Sequence, residues 1–365
     1  MRVLVVKPDQ SNPGGVANYY SLVKEHLGKE VDFFIVGSRR GEHGFIAMCI
    51  RVAKDTMVFW RTLKMGKYQL VHLNPSMHDK AVWRDGVLLL MIHARGVKSI
   101  VFFRGWVEET ERRVRRWYLG LFRRVYFRAD AMIVLASQFE ASLREMGYWR
   151  PIYVETTAVS DEIFQHEASD RQRRGGSESS GRFNILFLSR MDVNKGIGET
   201  LEAYRILRAK YPIITLIMAG DGPKFQWAKE RATHLSLPDV EFPGYVVGEG
   251  KHHIFDVADV YLFPTYGEGM PNSVLEAMAY GLPVVTRPVG GLRDFFEDGK
   301  MGFITESLDP VVFADLLERL LLDPDLRKKI GGYNRKYAFE HFRASIVAKR
   351  LIHIYEDVIG KHRPD

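Results

Sequence analysis

The 365 residues, 46% of them apolar, 12% aromatic and 27% charged, have the composition of an ordinary globular protein, and their number suits two cores better than one, since domains usually hold roughly 100 to 200 residues. A lone cysteine, Cys49, excludes an internal disulfide and a thiolate metal cluster and fits a reducing compartment, while apolar runs such as GVLLLMIHA fall far short of the roughly 20 residues that span a bilayer. The net charge of +7 belongs wholly to residues 1–165, which points to an anionic partner for that half, with a solvated basic face as the plainer reading.

At the start, MRVLVVKP reads as the beginning of structure and not as a signal peptide. The run RVLVV is a strand, a Pro, Gly and Asn loop follows, and helical spacing runs from about Val16 to Leu27. Further strands are predicted at Asp32 to Val36, Leu70 to Leu73, Ser99 to Phe103 and Ala131 to Leu135. Continuous apolar strands alternating with helices imply a parallel sheet covered on both faces. Then HEASDRQRRGGSESSGR, residues 166–182, has no large apolar side chain and predicts a mobile loop at a domain boundary. FNILFLSR restarts the alternation, with strands at Ile214 to Ala219, Val240 to Phe242, Val260 to Phe263 and Val284 to Thr286. The last 60 or so residues are helical, broken near Pro324 and Phe342, and a final amphipathic helix from about Ala344 to Ile359 is placed to return to the first domain. The expected fold is therefore α/β, with two doubly wound Rossmann-like domains at 1–165 and 183–340 and a tail at 341–365.

Three stretches of the second half suit a phosphorylated ligand. In YGEGMPNSVLEAMAYGLPVVT, Ser273 and Glu276 spell a capping box. That leaves Glu268 and the run Gly269, Met270, Pro271, Asn272 unexplained; such a run offers free amides beside the positive end of a helix, where an anion is stabilised. LSRMDVNKGIGE puts Arg190 just after a strand and Lys195 in the following loop, where a doubly wound sheet binds ligands. IMAGDGPKF ends a strand in Gly220, Asp221 and Gly222, which permits either a tight turn or close approach of a ligand.

With Glu268 and Glu276 as an E-x7-E pair, and with SRMDVNKG, AGDGP, FPGYV, NSVLEAMAYGLPVV and PVGGL in matching order, the chain resembles the family 4 retaining glycosyltransferases of GT-B fold. The motifs cover most of the second domain. The first resembles the family more loosely, through NPGGVANYY, whose Gly14 and Gly15 match a glycine loop of the active cleft. The resemblance implies two domains facing each other across that cleft and a UDP- or GDP-linked sugar held by the second. It implies that Arg190 and Lys195 contact the diphosphate, Glu276 the ribose, and Glu268 with the amides of Gly269 to Ser273 the donor sugar and phosphate. Gly220, Asp221 and Gly222, with Tyr245 and Val246, would line the base pocket. Front-face attack, in which the leaving phosphate takes the acceptor's proton, needs stabilised charge and no metal or other cofactor. Asp323 and Asp325 flank Pro324 between helices and read as a cap, not a metal pair.

One departure concerns specificity. Relatives carry His-Gly at the end of a first-domain strand where this chain has FFRGW, and Arg104 cannot act as a base at neutral pH. It can bind an anionic sugar or acceptor. Next comes EETERRVRRWYLGLFRRVYFRAD, in which Val114, Trp117, Tyr118, Leu121, Phe122 and Val125 fall at helical spacing among Arg112, Arg113, Arg115, Arg116, Arg123, Arg124 and Arg128. Either the apolar stripe packs on the sheet, or this basic amphipathic helix docks on anionic lipid at the cytoplasmic face of a membrane, which suits a lipid-linked or polysaccharide acceptor. His72 in VHLNPS is a candidate for acceptor contact, and no spaced set of histidines predicts a metal. The rivals are a sugar-nucleotide epimerase, a small-metabolite glycosyltransferase and a non-catalytic nucleotide-sugar-binding subunit. No recognisable nucleic-acid-binding module is present, and NPGGVA is not the dinucleotide fingerprint G-x-G-x-x-G.

Overall fold

The computed structural model describes residues 1–9, 14–37, 44–165 and 181–360. The chain folds as two compact units: Met1–Ala158 joined by the chain from Ala344 onward, and Val159–Arg343. The passage between them thus comes after Ala158, ahead of the expected linker, whose residues 166–180 lie outside the described residues.

Unit 1 has strands β1 (Val3–Pro8), β2 (Val31–Val36), β3 (Leu70–Leu73), β4 (Lys98–Phe102), β5 (Ala131–Val134) and β6 (Ile152–Val154) in the order β2-β1-β3-β4-β5-β6, all parallel. Its helices are α1 (Gly15–Val23), α2 (Phe45–Met65), α3 (Asp79–Ala94), α4 (Glu108–Arg113), α5 (Leu119–Tyr126) and α6 (Ser137–Glu145). Because side chains alternate across a strand, Leu4, Val6, Val71, Leu73 and Val101 pack in one core with Phe59 of α2, Leu89 of α3 and Phe122 of α5. The other face carries Val5, His72 and Ile100 in register.

Unit 2 has β7 (Phe183–Leu188), β8 (Ile214–Ala219), β9 (Val240–Gly244), β10 (Val260–Phe263), β11 (Val284–Thr286) and β12 (Gly302–Ile304), again all parallel, in the order β12-β11-β10-β7-β8-β9. Between and after them come α7 (Ile197–Lys210), α8 (Phe225–His234), α9 (Gly248–Val257), α10 (Asn272–Ala279), α11 (Leu292–Phe295), α12 (Pro310–Leu322) and α13 (Pro324–His341). Its central strands are buried on both faces, as a parallel sheet under helices requires. Two strands, β6 and β12, were not anticipated: each is a three-residue strand at a sheet edge with a single neighbour.

The last helix, α14 (Ala344–Gly360), belongs to unit 1 and covers the face that carries His72. Arg350 holds Glu155 at 2.9 to 3.1 Å, Tyr153 donates to Asp357, and Lys98 Nζ donates to the carbonyls of Val358 and Ile359 at 2.9 and 3.0 Å. An ammonium there satisfies the open carbonyls of a helix end.

Candidate functional site

In unit 2, connections from β7 run one way along the sheet and those from β10 the other, so the switch point lies between these two neighbours. Ligands of open α/β sheets bind outside the carboxyl ends of the strands at such a point. The predicted donor residues gather there because both loops start there. After β7 the chain passes Ser189 and Arg190 and turns where Asp192 accepts from the Val193 amide at 2.8 Å. It then reaches Lys195 and Gly196, at φ 72. No side chain fits at Gly196, since a Cβ would lie 2.2 Å from the Pro264 carbonyl oxygen. That closeness brings the two loops together: the Tyr266 amide and the Thr265 hydroxyl both donate to the Asn194 carbonyl, at 2.9 and 3.0 Å.

Across this seam Lys195 Nζ donates to Glu268 Oε1 at 2.5 Å, and both side chains are mostly buried. Arg190 stands 70% exposed beside Asp192, 3.7 Å away. The Glu268 turn is braced from behind, where the Gly291 amide donates to the Gly269 carbonyl at 2.8 Å. At Gly290, φ 49, a Cβ would lie 2.2 and 2.3 Å from the carbonyl oxygens of Gly269 and Glu268, so the glycine pair of PVGGL fits this turn sterically.

The expected capping box is absent. Helix α10 begins at Asn272 after Pro271, with no side-chain cap. Ser273 already lies inside the helix, where its Oγ accepts from the Tyr261 hydroxyl at 2.6 Å. Glu276, 7% exposed, accepts from Lys251 Nζ of α9 at 2.7 Å. With Pro271 at the N-cap, two residues before Ser273, there is no N-cap amide hydrogen to donate and Glu276 falls beyond the first turn. Met270 packs on the core while Gly269 and Asn272 stay partly open, leaving the first amides of α10 uncapped by side chains. Lys251 carried no sequence signal, because its partner lies 25 residues away on another helix.

Beside β7, β8 is followed by Gly220, whose amide donates to the Gly244 carbonyl at 2.7 Å. Its φ is 130, and a Cβ would meet the Ser189 carbonyl oxygen at 1.8 Å. Asp221 accepts from the Gly222 amide at 2.7 Å. After β9, Tyr245 is exposed and Val246 packs partly on the core. Asp323 caps α13 by accepting from the Leu326 amide at 2.8 Å, and no metal-holding cluster exists among the described residues.

In unit 1, Gly14 and Gly15 open α1 directly after β1 and are exposed. His72 does not face solvent. It lies inside β3 at 0% exposure, its Nδ1 2.7 Å from the Tyr355 hydroxyl of α14 and its ring stacked on Phe102. Burial, then the Arg104 charge, lowers its pKa to about 3. The acceptor role expected of it is therefore withdrawn: α14 returns over this face and seals it. Arg104, just beyond β4, is partly exposed, with its guanidinium 3.9 Å from the Tyr19 ring centroid and 4.3 Å from that of Phe102.

The basic stretch is not one regular helix. A π-helical turn, Val114–Tyr118, joins α4 to α5. Val114, Phe122 and Val125 enter the core, whereas Trp117 and Leu121 stay 71% and 48% exposed. Arg113 pairs with Asp79 at 2.6 Å and Arg123 donates to the Met146 carbonyl at 2.7 Å. Arg112 and Arg124 remain exposed, as does Arg116, which stacks 4.9 Å over Trp117. The packing reading thus holds for Val114, Phe122 and Val125, and Trp117 and Leu121 lie outside it. No helix among the described residues is long and apolar enough to cross a membrane.

Residues 168–337, less than half of the chain, match a family model described as glycosyl transferases group 1. The chain is 27% identical over 203 residues to the capsular polysaccharide biosynthesis glycosyltransferase CapM of Staphylococcus aureus, a match that spans only about half of each protein, 55% of this chain and 53% of CapM. It is 25% identical over 307 residues to a phosphatidyl-myo-inositol mannosyltransferase of Mycobacterium leprae, covering 82% and 76%. Among solved structures it resembles Anabaena HepE in complex with UDP and glucose, with a TM-score of 0.75 over 98% of this chain and 99% of that one, at 17% identity. The fold is that of GT-B proteins, and the sequence relatives support a glycosyltransferase.

Proposed function

We propose that the chain is a family 4 retaining glycosyltransferase, moving a sugar from a UDP- or GDP-linked donor to a lipid-linked or polysaccharide acceptor. What carries this reading is the convergence of Lys195, Glu268 and the uncapped start of α10 at the switch point of the unit 2 sheet, inside the segment that matches the glycosyl transferases group 1 model. HepE, of the same fold, binds UDP and glucose at low sequence identity. CapM and the mannosyltransferase, by their names, act in capsular polysaccharide biosynthesis and on phosphatidyl-myo-inositol.

In this mechanism Arg190, Lys195 and the first amides of α10 take the diphosphate. Lys195 exchanges Glu268 for phosphate oxygen, and Glu268 becomes free to accept from a sugar hydroxyl. Glu276 has more acceptor sites than Lys251 uses, so it can take the ribose hydroxyls while still paired. The bond from the anomeric carbon to the phosphate oxygen breaks as the acceptor oxygen bonds to the same face. The acceptor's proton passes to the departing phosphate, whose charge the two cations and the helix start stabilise. No protein base and no metal is needed.

Exposed Trp117 and Leu121 with Arg112, Arg116 and Arg124, and on the neighbouring α3 the exposed stripe Trp83, Val87 and Leu90, support docking on an anionic membrane surface at its cytoplasmic face. The donor reading is tested by calorimetric titration of UDP, GDP, ADP, dTDP and CMP into wild type and Glu276→Ala. Saturable binding of one nucleotide, at least about tenfold weaker in the variant, is expected from loss of a charge-assisted hydrogen bond. Absence of binding at millimolar concentration would remove the reading.

A further inference from the structure

At the carboxyl end of the unit 1 sheet a cation stands without a carboxylate among the described residues. The strand order places a second switch point between β1 and β3, with β4 next to it. Arg104 leaves the end of β4 there, fixed by its amide, which donates to the Pro75 carbonyl at 2.8 Å. The guanidinium carbon lies 3.9 Å from the ring centroid of Tyr19 of α1 and 4.3 Å from that of Phe102 of β4, two rings set 84° apart. Tyr19 is itself packed edge-on to Tyr20. No ion pair involves Arg104 among the described residues, and its buried Nη1 has no hydrogen-bond partner.

The charged and polar groups around it do not neutralise it. His72 is neutral at physiological pH, since burial and Arg104 itself lower its pKa to about 3. Burial pushes the Tyr19 hydroxyl up to about 12, so it stays protonated. Glu155, the carboxylate that reaches Tyr19, is occupied by Arg350. Two rings recover only part of the desolvation of a guanidinium, because a cation–π contact is weaker than an ion pair in the same surroundings. The unpartnered Nη1 leaves N–H donors free, and a guanidinium binds a carboxylate or phosphate in its own plane through two such donors. The first turn of α1, which opens beside the same sheet edge, contains no acidic residue.

We propose that Arg104 binds an anionic oxygen group, a carboxylate or a phosphate, on the substrate that unit 1 receives, and so selects an acidic sugar or a phosphorylated acceptor over its neutral counterpart. The anion follows from the environment of Arg104; what carries it rests on the glycosyl-transfer reading above. A neutral residue of similar length at this position would keep the ring contacts and lose the selection.

The test uses the full chain and two matched pairs of probes, glucuronate against glucose and glycerol 3-phosphate against glycerol. Binding is followed on the Arg104 Nε–Hε resonance, assigned by its loss in Arg104→Met, and by titration of wild type, Arg104→Met and Arg104→Lys. The expected result is that one anion shifts this resonance and binds at least tenfold more tightly than its neutral partner, that Arg104→Met brings the two within twofold, and that Arg104→Lys falls between. Preference for glucuronate identifies an acidic sugar, and preference for glycerol 3-phosphate a phosphorylated acceptor. Equal binding of anion and neutral probe to wild type, or an anion preference that survives in Arg104→Met, overturns the proposal. Should Arg104→Met fail to fold, the wild-type preference and its reduction in Arg104→Lys decide. Titration with UDP and GDP is independent, so failure of nucleotide binding with the anion preference intact removes the donor reading alone.

Discussion

The two carboxylates of the proposed donor site, Glu268 and Glu276, are each held by a lysine from another segment, Lys195 and Lys251. E-x7-E spacing identifies the acids but not their partners, which come from the loop after β7 and from α9. Unit 1 offers the opposite case in His72, a residue whose type suggested chemistry and whose place in β3 gives it packing. Its pKa is depressed by burial and by Arg104, so the folded state binds fewer protons than the unfolded chain, whose histidine titrates near 6.5. Stability from this neutral ring is complete above about pH 6.5 and is lost as pH falls toward 3, at up to about 1.4 kcal/mol per pH unit. Urea midpoints between pH 7.5 and 4.5 are expected to fall more steeply for wild type than for His72→Phe. Parallel curves would show that other groups set the acid sensitivity.

Between α3 and α5, exposed tryptophans and arginines share the surface of unit 1. Trp83 of α3 lies 5.9 Å, ring to ring, from Tyr118 of the π turn, so the stripe on α3 continues toward Trp117 and Leu121. The π turn explains why the sequence pattern was only half legible. Five-residue spacing rotates Trp117 outward while Val114 and Phe122 stay in the core. Surface substitutions there touch no buried contact and are expected to leave stability within about 0.5 kcal/mol. The paired change Trp117→Ser with Arg116→Ser should nevertheless lower binding to vesicles containing phosphatidylglycerol by at least about fivefold, with little effect on the residual binding to phosphatidylcholine alone, since lost arginine charge and lost interfacial aromatic area act together. Vesicle flotation with matched melting curves measures both. Unchanged binding would leave the exposed stripe without its proposed lipid role.

For the whole chain, the consequential connection is α14, which leaves unit 2 at Arg343 and completes unit 1. It buries Val347, Leu351, Ile354 and Tyr355, places Arg350 on Glu155, and closes the face of β3 that carries His72. A chain ending at Arg343 is expected to lose the cooperative unfolding of unit 1 while unit 2, whose core contains no residue of α14, keeps its own transition. Calorimetry of the truncated chain checks this, and an unchanged unit 1 transition would show that α14 contributes little. Much of this architecture was determined by the sequence alone. Apolar runs at strand spacing, glycines at turns and prolines at helix starts act locally, so β3, β8, β10 and β11 could be bounded to the residue and α14 nearly so. Tertiary structure alone decided that Glu276 pairs with Lys251 instead of capping, that His72 is sealed beneath α14, and that Arg104 lies against two rings with no ion pair among the described residues. Those outcomes depend on which distant segments meet at the end of a sheet, and contacts between residues far apart in the chain leave no period or spacing to read.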